Sequence, residues 1–215
     1  MITRPILPPA RLGILGGGQL GLLLAETARA MGYRITVLDP SPGAPARALA
    51  DTFLCADYED AAALQVLATT CAAVTTEFEN VSAQALRWLA QSVPVSPSAD
   101  CVAVTQDRIA EKALVRGAGL PTAPYVVLRR PADLSRDLSP YLPGILKTAR
   151  FGYDGKGQRV VHTSQEVAAA FGALAGLPSV LEKRLELACE LSVIVARAAS
   201  SEVAVFPAIE NRHAR

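Results

Sequence analysis

Two lysines and a run of glycines in the second half of the chain have the types and spacing needed to hold an anion. Lys147 ends the apolar run Gly144-Ile145-Leu146. Five residues on, a segment begins with glycines at 152, 155 and 157, with Lys156 between the last two and Gln158 after them. Glycine lets a loop bend freely and lets backbone N–H groups converge on anionic oxygens. Two ammonium groups beside them would neutralise the charge that builds as a phosphoryl group moves. The string GxxxxGK[ST] is absent, so any phosphate grip here differs from a P-loop. On these residues alone, a plain glycine-rich hairpin between two strands is the competing account.

A second cluster follows at Val180-Leu181-Glu182-Lys183-Arg184-Leu185-Glu186, where an apolar strand runs out into polar residues. An adenine needs this combination of an apolar slot and donors and acceptors at its edge, and a carboxylate such as Glu190 could take ribose hydroxyls. A solvated strand end explains the same charges. A third motif lies near the start. Gly16-Gly17-Gly18-Gln19-Leu20-Gly21 matches GxGxxG, and Asp39 ends the next apolar run. Together they imitate a dinucleotide fingerprint and keep an NAD(P)-dependent oxidoreductase open. A tight strand-to-helix turn accounts for the glycines equally well. A helix N-terminus there would also serve a substrate phosphate.

The elements that must position these residues alternate along the first half. Residues 11–16 read as a buried strand. Residues 20–32 read as a helix with Leu20, Leu23, Leu24 and Thr27 on one face and Gly32 as its stop, and 34–38 read as a second strand. Strands at 52–55, 72–75 and 93–96 and helices at 59–68 and 81–91 continue the pattern, with Val81, Ala85 and Leu89 spaced four apart on the last helix. Residues 1–97 are therefore expected to form a doubly wound α/β domain with a parallel sheet. The texture then changes. A helix over 105–117 leads to strands at 125–128, 144–148 and 159–162, a helix at 165–174, and strands near 179–183, 190–197 and 202–207. This pattern predicts an α+β unit with an antiparallel sheet over 98–215, its glycine-loop lobe spanning 122–185.

Composition narrows the function classes. The chain is about half apolar, 19% charged and of net charge +1, which fits a folded protein and gives no reason to expect nucleic acid or a membrane surface as partner. Residues 1–104 hold six Lys and Arg against nine Asp and Glu, and residues 105–215 hold fifteen against eleven. The basic half suits a small polyanion such as a nucleotide, though ordinary surface charge explains it too. None of the four cysteines sits in a CxxC pair or beside a histidine, so no metal site is expected, and Cys55 and Cys71 read as buried free thiols. Prolines stand where a secretion signal would carry its apolar run, and no apolar stretch approaches membrane-spanning length, so a cytoplasmic protein is expected.

The strings LKTARFGYDGKGQ, LEKRLELACELSVIVAR and FPAIENRH, in that order and spacing, resemble the central region of the 5-(carboxyamino)imidazole ribonucleotide synthetase family of ATP-grasp ligases. GGGQLG, TEFENV (76–81) and Thr105-Gln106-Asp107-Arg108 followed by Lys112 resemble the same family, and the likeness runs from about residue 11 to 213. It implies a Rossmann-like pre-ATP-grasp domain followed by an ATP-grasp domain. The implied reaction is ATP-dependent carboxylation of 5-aminoimidazole ribonucleotide by bicarbonate, through carboxyphosphate, in purine biosynthesis. Carried over by position, Arg108, Lys147, Gly152, Tyr153, Asp154, Gly155, Lys156, Gly157 and Gln158 would contact ATP. Glu182, Lys183, Arg184 and Leu185 would form the adenine hinge, Glu190 the ribose contact, and His213 a further ATP contact. Tyr153, Asp154 and Lys156 would also face the reacting groups. Gly18, Gln19, Leu20, Glu77, Glu79 and Asn80 would face the imidazole ribonucleotide.

The family's ATP-grasp domain continues beyond residue 215, where it supplies the oxygen ligands of Mg²⁺. The resemblance therefore implies a C-terminally truncated chain that holds no metal ligands of its own, exposes a half-built sheet and turns over weakly or not at all alone. It also implies a homodimer built through the N-terminal domain. A non-catalytic binding fragment that keeps only that domain's interactions is the third account.

Overall fold

The computed structural model describes residues 5–150, 152, 157–198 and 200–212. In its first part β1 (Arg11–Leu15), α1 (Gln19–Ala30), β2 (Arg34–Leu38), β3 (Thr52–Leu54), α2 (Ala61–Thr70), β4 (Ala73–Thr76) and α3 (Ala83–Leu89) follow one another. The four strands form one parallel sheet in the order β3-β2-β1-β4. Consecutive residues of a strand face opposite sides, so a sheet covered on both faces reads as an unbroken apolar run. Ile14, Ile35 and Val37 pack under α1 with Ala25 and Ala28. Leu15, Leu38 and Val74 pack on the other face with Leu64 and Leu67 of α2 and Leu86 and Leu89 of α3.

The expected face of α1 is reversed. Leu20, Leu23 and Leu24 are 64%, 51% and 40% exposed, and Gly21, Ala25 and Ala28 are the buried positions. The helix lies too close to the glycine turn for large side chains, since a Cβ on Gly21 would stand 2.7 Å from the Gly16 carbonyl oxygen. Val81, Ala85 and Leu89 are buried, as their spacing predicts. The strand expected at 93–96 is reduced to a single parallel bridge between Val95 and Val74, because Pro94 has no N–H to continue a ladder. Cys71 is buried and its thiol is pushed up by burial, whereas Cys55 is exposed, contrary to its strand-like setting.

The helix expected at 105–117 is two helices, α4 (Ala99–Thr105) and α5 (Arg108–Gly117). Asp107 breaks the run by capping the second: its carboxylate accepts from the N–H groups of Ile109 (2.9 Å) and Ala110 (3.4 Å). Beyond it β5 (Tyr125–Leu128), β6 (Gly144–Thr148), β7 (Gln158–Val161), α6 (Ser164–Ala173) and β8 (Ser179–Lys183) build an antiparallel sheet in the order β5-β8-β6-β7. One face carries Leu128, Leu146, Val161 and Leu181 against Val167 and Phe171 of α6. The alternation of β6 turns Ile145 and Lys147 to the opposite face.

The strand expected at 190–197 is broken into β9 (Glu190–Ser192) and β10 (Val195–Arg197). The first pairs with β12 (Ile209–Asn211) and the second with β11 (Val203–Val205), giving two antiparallel ribbons. Their large apolar residues, Leu191, Val195, Val205 and Ile209 among them, face outward. Among the described residues no helix is long and apolar enough to cross a membrane.

Candidate functional site

The face of the second sheet that carries Ile145 and Lys147 forms the floor of a cleft of about 850 Å³. Its walls are Ala123, Pro143 and the run Glu182 to Leu187 where β8 leaves the sheet. Lys147, Glu182, Lys183, Arg184 and Leu185 thus line one cavity, brought together because Ile145 lies opposite Glu182 and Lys147 opposite Val180 in the ladder between β6 and β8. The N–H of Lys183 is engaged by the Pro124 carbonyl (2.8 Å) and that of Arg184 by the Pro143 carbonyl (2.9 Å), which fixes the path of this run.

Glu182 is the electrostatic centre of the cleft. One carboxylate oxygen stands 3.1 Å from the Lys112 ammonium and the other 3.2 Å from that of Lys147. Lys112 comes from α5 and lies 5.1 Å from the ring centroid of Tyr125, the strand neighbour of Glu182. The Arg116 guanidinium covers that ring at 3.8 Å. Lys112, Lys147 and Arg116, with Lys183 and Arg184 along the cleft, outnumber the carboxylates of Glu182 and Glu186, which suits a polyanion.

Arg108 is placed differently from a free phosphate ligand. Its guanidinium donates to the carbonyls of Thr148 and Gly152, both at 2.8 Å, and its own N–H donates to the Ala149 carbonyl at 2.9 Å. It therefore anchors the start of the segment that leaves β6, at Thr148, Ala149 and Gly152. Gly157 closes that segment at φ +70°, and a Cβ there would stand 2.7 Å from the Thr148 hydroxyl. Gln158 opens β7 opposite Lys147. Glu190 lies on β9, where it accepts from the Asn211 amide at 3.1 Å, and it is not among the residues lining the cleft. Tyr153, Asp154, Gly155, Lys156 and His213 lie outside the described residues.

The first glycine turn carries its own anions. The N–H of Gly17 donates to Asp39 and that of Gly18 to Glu77, both at 2.7 Å. Asp39 also accepts from the Ser41 N–H at 2.7 Å and from the Tyr58 hydroxyl at 3.1 Å. Burial and the neighbouring Asp39 carboxylate push the Tyr58 phenol far above its ordinary value, so it stays a donor. Asp39, the acid of the dinucleotide reading, is thereby engaged by the turn itself. Gln19 and Leu20 open α1 at the surface.

Glu79 and Asn80 meet Arg108, Glu111 and Gly152 in a crevice of about 120 Å³ between the two units. Gln106 holds this junction: its amide donates to the carbonyls of Glu79 (2.7 Å) and Val81 (2.6 Å), and its oxygen accepts from Arg150 (3.2 Å). Sequence reading gave no role to Gln106 or to Lys112. Lys112 stands four residues after Arg108, one helical turn on along α5, and that spacing is the signal that could have linked it to the site. Among the described residues no group of three or more His, Cys, Asp or Glu side chains could hold a metal ion.

The ribonucleotide synthetase preATP-grasp domain family matches residues 10–106, and the ATP-grasp domain family matches residues 113–215. The N5-carboxyaminoimidazole ribonucleotide synthase of Bacillus subtilis (strain 168) is 38% identical over 214 residues, covering 99% of this chain and 56% of its own length. The crystal structure of the Staphylococcus aureus N5-carboxyaminoimidazole synthetase complexed with ADP superposes with a TM-score of 0.92 at 35% identity, over 97% of this chain and 56% of that one. The Aspergillus clavatus enzyme in complex with ADP and 5-aminoimidazole ribonucleotide gives 0.84 at 30% identity, over 95% and 54%. The chain spans a little over half the length of the curated relatives it matches, and it belongs to the N5-carboxyaminoimidazole ribonucleotide synthase family of ATP-grasp proteins.

Proposed function

We propose that this chain is the nucleotide-gripping part of an ATP-dependent ligase that carboxylates the amine of 5-aminoimidazole ribonucleotide in purine biosynthesis. In the reaction a bicarbonate oxygen attacks the γ-phosphorus of ATP, ADP leaves, and the amine then attacks the carboxyl carbon of carboxyphosphate with loss of phosphate. The observation that carries the reading is the convergence of Lys147, Glu182 and the run to Leu187 on one cleft. The apolar wall of Ile145, Pro143 and Leu185 suits a base, and Lys147 suits the phosphates. Lys147 neutralises negative charge as the phosphoryl group leaves. Arg108 and Gly157 hold the two sides of the segment 152–157; Tyr153, Asp154 and Lys156, assigned to the reacting groups, and Gly155, assigned to ATP, fall within it in sequence.

Gly18, Gln19, Leu20, Glu77, Glu79 and Asn80 form the substrate face on this reading. It is supported by the crevice that joins Glu79 and Asn80 to Arg108 and Gly152. Magnesium does not fit the described residues. The hard cation needs an array of oxygen ligands, and Glu182, which lines the cleft, is already bridged by two ammonium groups. The part of the reaction assigned to these 215 residues is therefore binding of the nucleotide, with little or no turnover by the chain alone. The reading places the protein in the cytoplasm, where ATP is made available to biosynthesis. A homodimer through the N-terminal unit goes with it, supported by the exposed row Leu20, Leu23 and Leu24.

Titration calorimetry of this chain with ATP, with and without Mg²⁺, tests the assignment. Saturable binding at one site per chain, competed by ADP and indifferent to NADH, is expected. A folded chain that binds NADH and not ATP would sink it and revive the oxidoreductase reading.

A further inference from the structure

We infer that Lys112 is a positioning residue of the cleft: it is the fixed counter-ion of Glu182 that lets Lys147 turn from Glu182 to a phosphate. The inference rests on the reading of this cleft as an ATP site.

The geometry divides the two oxygens of Glu182 between two ammonium groups, Oε1 to Lys112 at 3.1 Å and Oε2 to Lys147 at 3.2 Å. The Glu182 side chain is 12% exposed, so most of its charge is balanced by protein rather than by water. The two lysines are not equivalent. Lys112 is 16% exposed and sits against Tyr125, whose ring is covered by Arg116. Lys147 is 25% exposed and lines the cleft.

A phosphate in the cleft competes with Glu182 for Lys147. With Lys112 in place, Glu182 keeps one ammonium partner when Lys147 turns away. Without Lys112, every movement of Lys147 towards phosphate strands a largely buried carboxylate, a state that low-polarity surroundings penalise heavily. The competing account is that Lys112 merely pins α5 to the sheet. The two accounts differ in what Glu182 does to the effect. If Lys112 acts through the charge of Glu182, neutralising Glu182 removes its importance. If it only pins the helix, neutralising Glu182 does not.

Calorimetry on Lys112→Met, Glu182→Gln and the double variant, with ATP and with adenosine as probes, separates them. Lys112→Met is expected to weaken ATP binding about tenfold and to leave adenosine within about twofold, a coupling readable in a double-mutant cycle. In the Glu182→Gln background the same change is expected to alter ATP affinity by less than about twofold. Lys112→Arg, which keeps the charge, should stay near wild type. Lys112→Gln, which keeps a donor without the charge, replaces the methionine variant if that one fails to fold. A ligand-free readout accompanies these: acylation of Lys147 by a small N-hydroxysuccinimide ester, followed by mass spectrometry, should slow a few-fold in Lys112→Met because Glu182 then grips Lys147 alone. Equal ATP affinity in Lys112→Met, equal loss for adenosine, or an undiminished loss in the Glu182→Gln background overturns the inference. If the wild-type chain binds no ATP, the cleft reading has failed, and the acylation rates alone decide the role of Lys112: no slowing overturns it.

Discussion

The molecule has two glycine-bearing turns at strand ends, and they treat charge in opposite ways. At the turn after β1, consecutive N–H groups of Gly17 and Gly18 are taken by the carboxylates of Asp39 and Glu77. The glycines make room for the chain's own side chains: a Cβ on Gly16 or Gly18 would stand 2.9 or 3.0 Å from Glu77. At the end of β6, Lys147 shares the carboxylate of Glu182 with Lys112 beside an open cleft, and Arg116 covers the neighbouring Tyr125 ring. The N–H groups of the first turn are already taken by the chain's own carboxylates, whereas the end of β6 has positive charge to give. A GxGxxG string by itself therefore says that backbone N–H groups converge, and not what they converge on.

The comparison is broken most directly at its positive side. Lys147→Ala removes a lysine that lines the cavity and leaves Glu182 paired with Lys112. ATP affinity is expected to fall about 100-fold, roughly 2.7 kcal/mol, with little change in thermal stability. Calorimetry and a melting curve check both halves. A folded variant that binds ATP as tightly as wild type would remove Lys147 from the grip and leave the two turns without a functional contrast.

The next effect lies in the first turn and should appear in stability alone. Gly16 has φ +102°, and a Cβ there would stand 2.9 Å from both Glu77 and Phe78. Gly16→Ala should cost about 2 kcal/mol through backbone strain, with ATP affinity unchanged in the folded fraction. Glu77→Ala should cost about 1 kcal/mol, because it removes the acceptor of the Gly18 N–H and a negative charge at the N-terminus of α1. Glu77→Gln, which keeps an acceptor, should cost less. Denaturant unfolding ranks the three. Tighter ATP binding in any of them would mean that the first turn also meets the nucleotide.

Both turns were legible as turns, because glycine spacing and strand-to-helix punctuation are local. The contents of the first were not. Glu77 is 59 residues from Gly18, and only the pairing of β1 with β4, which sets Leu15 beside Thr76, brings them together. Lys147 and Glu182 were legible as residue types, whereas their bridge depends on the register that places Lys147 opposite Val180. The buried face of α1 was misread for a related reason. The leucine row has the right period, but the helix packs so close to the turn that Gly21, Ala25 and Ala28 take the inner side. The broken helix at Asp107 is a different case, because the capping signal is local and an apolar period running through it obscured the cap.

The smallest expected effect tests whether a carboxylate on backbone N–H groups is a structural device of this chain beyond the first turn. Asp133 repeats the arrangement in the second unit. It accepts from the N–H groups of Arg129 at 2.8 Å and Arg130 at 3.1 Å and pairs with Arg136 at 3.1 Å. The Arg129 N–H is the main cause that holds its carboxyl below the usual carboxylate range, with the Arg130 N–H and the Arg136 guanidinium adding to it. A folded value below the unfolded one means that this stabilisation is complete above about pH 4, the unfolded value, and fades as pH falls through the folded one. Asp133→Asn keeps the shape and an acceptor and loses the charge. Its stability deficit against wild type should therefore be present at pH 7 and close as the pH is lowered below 4. Parallel denaturant titrations of the two chains down the pH scale measure that difference. A deficit that stays constant to low pH would assign it to packing, and the carboxylate-on-backbone device would then belong to the first turn alone.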